Sequence, residues 1–305
     1  MKKVIVRLGN GLGNQLFTYA AAYSFAKKNN AELYVDDESG FSRHKYKYEL
    51  NHFNISAPIV EKRYKFLGFL GRFKRNILIK LSKFNKRTKF LIEKKDKKKL
   101  SVYDGDQLKI NFYQDIYFEG YFQSEKYYKD HIEDLLKEFT FKNEIINQDN
   151  AFVDDIKKSN SVSIHLRLDK FQKREKHKNR DILNLEFFEH NIELIKRGIQ
   201  YFDKKINKPK YFIWSENFSE IKKIFPTDRF TFVDANHDKD PAYDLYLMSL
   251  CKHFILSPSS MHYWGALLSR NTDKVCLGPL NVKNRSGYYG FSNNKDIKAE
   301  WWVEI

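Results

Sequence analysis

Short apolar runs alternate with amphipathic stretches along this chain, and the alternation is most regular in its second half. There the spacing predicts strands at 161–167, 211–214, 230–234, 254–256 and 274–277, the last of the chain. Helices are expected between them at 184–201, 218–224, 241–251 and 261–269. Strands parted by helices at this interval make a doubly wound parallel sheet, because each parallel connection needs a crossover long enough to hold a helix. The first half opens in the same manner: a strand at 3–8, a helix at 15–28 and a strand at 31–36 form a βαβ unit. Residues 36–55 read as an irregular loop region, 117–128 joins a strand to a helix through Gly120, and 130–139 continues as an amphipathic helix. Periodicity fades over 141–150, where Asn, Gln and Asp collect, so the boundary between two α/β domains, 1–150 and 151–305, is expected there.

Composition agrees with two cores: 305 residues, 42% of them hydrophobic, suffice for two domains of medium size. Cys251 and Cys276 both lie inside apolar runs, which suggests neither a disulfide framework nor a metal cluster, and a reducing, cytoplasmic setting is expected. No apolar run reaches the roughly 18 residues of a membrane span, and Arg7, Gly9 and Asn10 interrupt the opening too early for a secretion signal.

The net charge of +16 is concentrated rather than spread. Within 61–100, 16 Lys or Arg face only Glu61, Glu93 and Asp96, a net +13. Phe66, Phe69, Leu70, Phe73, Ile77, Leu81 and Phe84 recur through this stretch at helical spacing, predicting a basic amphipathic helix or helix pair within an insertion at 57–106. Such a helix either lies on an anionic membrane surface at the inner face of the cytoplasmic membrane, or packs on its domain with a solvated basic face. No nucleic-acid module accompanies the basic block, so nucleic acid is not an expected partner.

Candidate chemistry gathers at strand ends. The turn Gly9-Asn10-Gly11-Leu12-Gly13-Asn14 fails the dinucleotide pattern, since Asn14 stands where the third glycine belongs, and no Gly-Lys-Ser/Thr follows for a P-loop. It offers backbone and the amides of Asn14 and Gln15, suited to a polyhydroxyl ligand, though a purely structural turn fits as well. In the second half His165 and Arg167 end one expected strand, Trp214-Ser215-Glu216 the next, Asp234 the third, and Ser257, Ser259 and Ser260 the fourth. Polar groups delivered to one edge of a parallel sheet, beside a helix N-terminus, suit nucleotide phosphates. Taken singly, Arg167 could equally make a structural ion pair, and the serines could serve only as a helix cap.

One ordered series of motifs goes further. Gly9-Asn10-Gly11-Leu12-Gly13-Asn14-Gln15-Leu16-Phe17-Thr18-Tyr19-Ala20 is followed by Gly120-Tyr121-Phe122-Gln123-Ser124, His165-x-Arg167 and Trp214-Ser215-Glu216. The series ends on Met248-Ser249-x-Cys251-Lys252-His253-Phe254-Ile255-x-Ser257-x-Ser259-Ser260-x-x-x-Trp264-Gly265-Ala266. It closely resembles the motifs of the family 11 glycosyltransferases, the α-1,2-fucosyltransferases, over nearly the whole chain outside 57–106.

The resemblance implies a GT-B-like architecture, with two Rossmann-like domains facing each other across a cleft. It implies GDP-L-fucose as donor on the C-terminal domain, the 2-hydroxyl of a terminal galactose as acceptor, inversion at the anomeric carbon, and neither metal nor cofactor. Arg167 and His165 become the catalytic candidates, with Arg167, Glu216, Asp244, Ser257, Ser259 and Ser260 as donor contacts. Asn10, Gly11, Asn14, Gln15, Asp36 and His44 become acceptor-side contacts, with Asp36, Asp37 or His44 available as a general base if one is needed. A galactose-terminated oligosaccharide, free or lipid-linked, is the expected acceptor for surface-polysaccharide or O-antigen synthesis. The family's donor motif usually reads His-x-Arg-Arg-x-Asp, whereas here Leu168 replaces the second arginine and the acid comes one place early as Asp169, with Lys170 beside it. That departure keeps a different nucleotide sugar open as donor, and a non-catalytic carbohydrate-binding protein is the second alternative.

Overall fold

A computed structural model of the chain describes residues 1–41, 46–82, 88–95, 102–148, 151–167, 180–216, 218–225, 229–235, 240–279 and 296–305, without the side chains of 180–184. It divides into two compact units, Met1–Lys142 with Ser292–Ile297, and Asn143–Phe291 with Lys298–Ile305.

Unit 1 runs β1 (Lys3–Arg7), α1 (Leu12–Lys28), β2 (Glu32–Asp36), α2 (Gly68–Leu81), β3 (Thr88–Ile92), β4 (Asp115–Glu119) and α3 (Ile132–Glu138). Its four described strands are all parallel in the order β2-β1-β4-β3. Strand β1 is central and has Val4, Ile5 and Val6 wholly buried, as expected of a strand covered on both faces. Helix α1 is buried almost all round, which is why its sequence carries Tyr, Phe and Ala on every face. Strand β3 corrects the reading of 57–106 as helix alone. Lys89-Phe90-Leu91-Ile92 is a four-residue run inside the basic block, too short to announce itself, and it forms by pairing along the whole of β4.

Unit 2 runs α4 (Asn143–Ile146), α5 (Ala151–Lys158), β5 (Asn160–His165), α6 (Arg180–Lys205), β6 (Pro209–Trp214), α7 (Phe218–Ile224), β7 (Phe230–Phe232), α8 (Pro241–Leu250), β8 (His253–Ile255), α9 (Ser260–Leu268), β9 (Cys276–Gly278) and β10 (Val303–Glu304). The six described strands are parallel in the order β10-β9-β8-β5-β6-β7. Counted from β5 this is the doubly wound order 3-2-1-4-5-6 read from the β7 edge. The strand expected to be last, β9, is not the last: Val303 and Glu304 add β10 beside it, an edge pairing of two residues too brief for any period to reveal.

The core of unit 2 joins Val162 and Ile164 on β5, Tyr211 and Ile213 on β6, Ile255 on β8 and Ile195 and Phe202 on α6. Cys251 and Cys276 are both free thiols, buried in this unit. Helices therefore flank two parallel sheets, and the fold is GT-B-like. No described helix is long and apolar enough to cross a membrane.

Candidate functional site

In the sheet of unit 2 one pair of neighbouring strands, β5 and β8, has connections that leave in opposite directions, which opens a crevice at their carboxyl ends. In unit 1 the motif turns follow β1 and β4, the two central strands of its sheet, and the space at their carboxyl ends is its crevice. Four of the five motifs follow those four strands, and Trp214-Ser215-Glu216 follows β6.

Beside β5 and β8 the anchor is His262, in the first turn of α9 and buried. The backbone N–H of Ser257 donates to its Nδ1 at 3.3 Å, so the proton sits on Nε2, which donates to Ser163 Oγ on β5 at 3.0 Å. The ring thereby ties the Ser257 turn to β5. Burial, and then the nearby His165, hold its pKa well below the ordinary value, so it is neutral. Ser259 caps α9, its Oγ accepting the His262 N–H at 3.4 Å, and Ser260 begins the helix. Ser257 and Ser259 are buried and Ser260 is half-buried. The serines thus serve as cap and turn, and they also place the α9 N-terminus at the crevice.

His165 closes β5 with its ring 6.0 Å from that of His262 and edge-on to it. Its backbone is fixed by pairing with Trp214, and the Leu166 N–H donates to the Trp214 carbonyl at 2.9 Å. The buried Nδ1 of His165 has no hydrogen-bond partner among the described residues. Burial, with the adjacent Arg167 charge, lowers its pKa to about 3, so the ring is a neutral hydrogen-bonding group at physiological pH. Arg167 follows two residues on and is half-buried.

Strand order grades the remaining candidates. Glu216 is exposed and follows β6, one strand from β5 on the side away from β8. Asp234 follows β7, two strand spacings or roughly 10 Å from β5. Asp244 is half-buried in the first turn of α8, the helix that leads into β8, so it starts from the same edge of the sheet.

In unit 1 the crevice polar groups are largely engaged with one another. Gln15 is buried, and its Nε2 donates to the carbonyls of Asn10 (2.9 Å) and Lys47 (2.8 Å) while its Oε1 accepts the Glu49 N–H at 3.0 Å. Expected as a ligand contact, Gln15 is instead a clamp on the loop after residue 46. Asn14 Oδ1 accepts from Gln123 Nε2 at 2.7 Å, and Thr18 Oγ1 donates to the Gly120 carbonyl at 2.9 Å, which joins the first two motifs. Gly120 has φ +154°, and a Cβ there would stand 2.4 Å from Glu93 Cβ, so only glycine fits. The Glu93 carboxylate accepts the N–H groups of Tyr121 (2.8 Å) and Phe122 (2.9 Å). Asn10 is exposed and left-handed at φ 65°, with Gly11 half-buried beside it. Asp36 is fully buried at the end of β2, its Oδ1 accepting from Ser39 at 2.9 Å and Glu38 at 3.2 Å. Burial raises its pKa against the lowering effect of Ser39, Glu38 and Arg7. Asp37 is ion-paired with Lys65 at 2.6 Å. His44, Leu168, Asp169 and Lys170 lie outside the described residues.

The family model of glycosyl transferase family 11 matches residues 3–305. The chain belongs to that family. This family 11 glycosyltransferase is 29% identical to an Escherichia coli alpha-1,2-colitosyltransferase, over all of this chain and 99% of that protein. It is 23% identical to the E. coli O-antigen biosynthesis glycosyltransferase WbnK, over 98% and 99% of the two chains. Among solved structures, Arabidopsis thaliana FUT1 aligns with a TM-score of 0.54 at 14% identity, over 92% of this chain and 71% of that one. Fucosyltransferase NodZ from Bradyrhizobium aligns with a TM-score of 0.50 at 15% identity, over 88% and 92%.

Sequence reasoning missed four side chains of this family 11 glycosyltransferase that organise its crevices: His262, Ser163, Gln123 and Glu93. His262 falls three residues after the Ser259 cap, a spacing that a helix turn brings together, yet its second partner on β5 is 99 residues away in sequence. Glu93 sits in the basic block, where it read as one minority acid among lysines.

Proposed function

We propose that this chain is an inverting α-1,2-fucosyltransferase, moving L-fucose from GDP-L-fucose to the 2-hydroxyl of a terminal galactose on an oligosaccharide. The observation that carries the reading is that two of the family motifs end on the β5/β8 switch point, which brings Arg167, the His165 Nδ1 that lacks a partner among the described residues, and the α9 N-terminus to one edge of the sheet. In the reaction the acceptor oxygen bonds to the anomeric carbon as the bond from that carbon to the β-phosphate oxygen breaks. The electron pair leaves with GDP, and the acceptor proton passes to solvent or a base.

The largest demand is stabilising charge on the departing diphosphate. Arg167 is assigned that role, its guanidinium presenting a fixed fork of donors to phosphate oxygens. The backbone and hydroxyls of Ser257, Ser259 and Ser260 at the start of α9 are secondary donors. His165, neutral at working pH, orients a phosphate or sugar oxygen by hydrogen bonding rather than by charge. Glu216 and Asp244 are assigned to the guanine or ribose. The exposed Asn10 and Gly11, with Asn14 held by Gln123, are assigned to the acceptor side. Gln15 supports them from inside rather than touching ligand. Asp36 is the general-base candidate whose raised pKa favours proton uptake, although its burial argues for a support role; a loose transition state needs no strong base.

Calorimetry with GDP, UDP and CDP in EDTA, followed by GDP-fucose turnover on a galactose-terminated disaccharide, tests the reading. Selective GDP binding that is lost in Arg167→Ala is expected. Preference for UDP or CDP would overturn the donor assignment. Binding of galactosides without turnover would return the chain to the class of carbohydrate-binding proteins.

A second donor reading rests on the relative described as a colitosyltransferase. Colitose is L-fucose without the 3-hydroxyl, so the two sugars differ by one hydrogen-bonding group. A site that hydrogen-bonds that hydroxyl rejects the deoxy sugar strongly, whereas an apolar one cannot exclude fucose. Competition between the two GDP-sugars distinguishes them.

A further inference from the structure

Helix α2 is amphipathic with its apolar face turned the wrong way for a packed helix. Its inner face is set by Gly71 against the Phe66 backbone, by Arg75 bonded to the buried Glu119 carboxylate at 2.8 Å, and by Leu78 on the cluster of Ile5, Val60, Phe66 and Tyr117. At 100° per residue those three positions share one side of the helix. The opposite side carries Phe69, Leu70, Phe73, Ile77 and Leu81, which are 75%, 78%, 60%, 41% and 53% exposed. Arg72 borders this stripe on one side and Lys74 on the other, and Lys80 lies about two turns beyond Phe73 on nearly the same line; all three are exposed. The helix contains no acidic residue.

We propose that α2 is an interfacial helix that docks this enzyme on an anionic lipid bilayer, with Phe69, Leu70, Phe73, Ile77 and Leu81 at the acyl boundary and Arg72, Lys74 and Lys80 among the headgroups. Charge complementarity selects this occupant. A stripe of large apolar side chains bounded on both margins by cations is the pattern of a helix lying in a membrane interface, where lysine stems extend along the apolar layer and place the ammonium in the headgroups. A second copy of the chain meeting this face would bring Arg72, Lys74 and Lys80 of each helix together with no acid on either to offset them. The surrounding segment, net +13 over 61–100, adds attraction to an anionic surface. The inference is independent of which sugar is transferred.

Flotation of the full chain with vesicles of phosphatidylcholine alone, and of phosphatidylcholine mixed with phosphatidylglycerol, tests the proposal. Binding to the mixed vesicles is expected to weaken with added salt and to exceed binding to neutral vesicles at least tenfold. Phe69→Ser with Phe73→Ser, and separately Lys74→Glu with Lys80→Glu, are each expected to reduce it at least tenfold. All four side chains are exposed, so the thermal midpoint and GDP binding should hold, which separates lost docking from lost fold. Three outcomes would overturn the proposal: no vesicle binding, equal binding to both vesicle types, or a concentration-dependent dimer in sedimentation velocity that Phe69→Ser with Phe73→Ser converts to monomer.

Discussion

The two crevices both open at the carboxyl ends of central parallel strands, and they use their polar groups in opposite ways. At β1/β4 the polar groups find partners in each other: Gln15 uses both donors and its carbonyl, Asn14 holds Gln123, Thr18 holds Gly120, and Glu93 holds the turn beyond β4. At β5/β8 a neutral His262 ties the Ser257 turn to the sheet, while the buried Nδ1 of its neighbour His165 has no hydrogen-bond partner among the described residues. A closed network fixes shape and leaves a few exposed groups such as Asn10 for weak, neutral contacts. A half-buried arginine, a buried nitrogen without a partner among the described residues and a helix N-terminus suit a charged ligand. The proposed function uses that difference, with the diphosphate on unit 2 and the neutral sugar on unit 1.

The sharpest test of that contrast is Arg167→Ala, expected to lower kcat/KM by at least 100-fold, about 3 kcal/mol of lost transition-state stabilisation. Arg167→Lys should recover only part, since an ammonium cannot reproduce the fork. If Arg167→Ala left kcat/KM unchanged, the β5/β8 crevice would not be the donor site.

Gln15→Ala probes the closed crevice. Removing a buried amide with three bonds leaves two carbonyls and an N–H to be resatisfied, a cost of about 2–4 kcal/mol seen as a lower urea midpoint. GDP affinity should stay within about twofold if the two crevices act separately.

Acid titration sharpens the contrast from the other side. His165, with its pKa at about 3, and His262, well below the ordinary value, stay neutral in the native state but take up protons in the unfolded chain near pH 6.5. The unfolded state therefore binds more protons below that pH, and stability should fall on acidification from about 6.5 toward 3, by up to about 1.4 kcal/mol per pH unit for each ring. Thermal midpoints against pH should show a shallower acid slope in His165→Asn than in the native chain. Equal slopes would mean that His165 already titrates normally.

The smallest effect belongs to Ser259→Ala, which removes the α9 cap at a cost of about 1 kcal/mol. A larger loss of GDP affinity than of stability would identify the hydroxyl as a ligand contact as well as a cap. No loss of affinity would leave it a cap alone.

Much of this protein was legible in its order of residues. The period of the apolar positions marked β1, α1 and most elements of unit 2, since local burial patterns are written locally. The motif series identified the family, because Gly120 has room for no side chain and a polar run after each buried strand marks the strand's carboxyl end. Strand order decided the rest. Only the sheet topology made β5 and β8 neighbours and left β7 at the edge, which singled out His165, Arg167 and the serine turn over Asp234. Only packing revealed that Gln15 faces inward, that Glu93 and His262 hold turns in place, and that α2 turns its phenylalanines to solvent. A periodicity states that a helix has an apolar face; which way that face points is fixed by partners far away in sequence, here Glu119 against Arg75 and Ile5 and Tyr117 in the cluster that Leu78 joins.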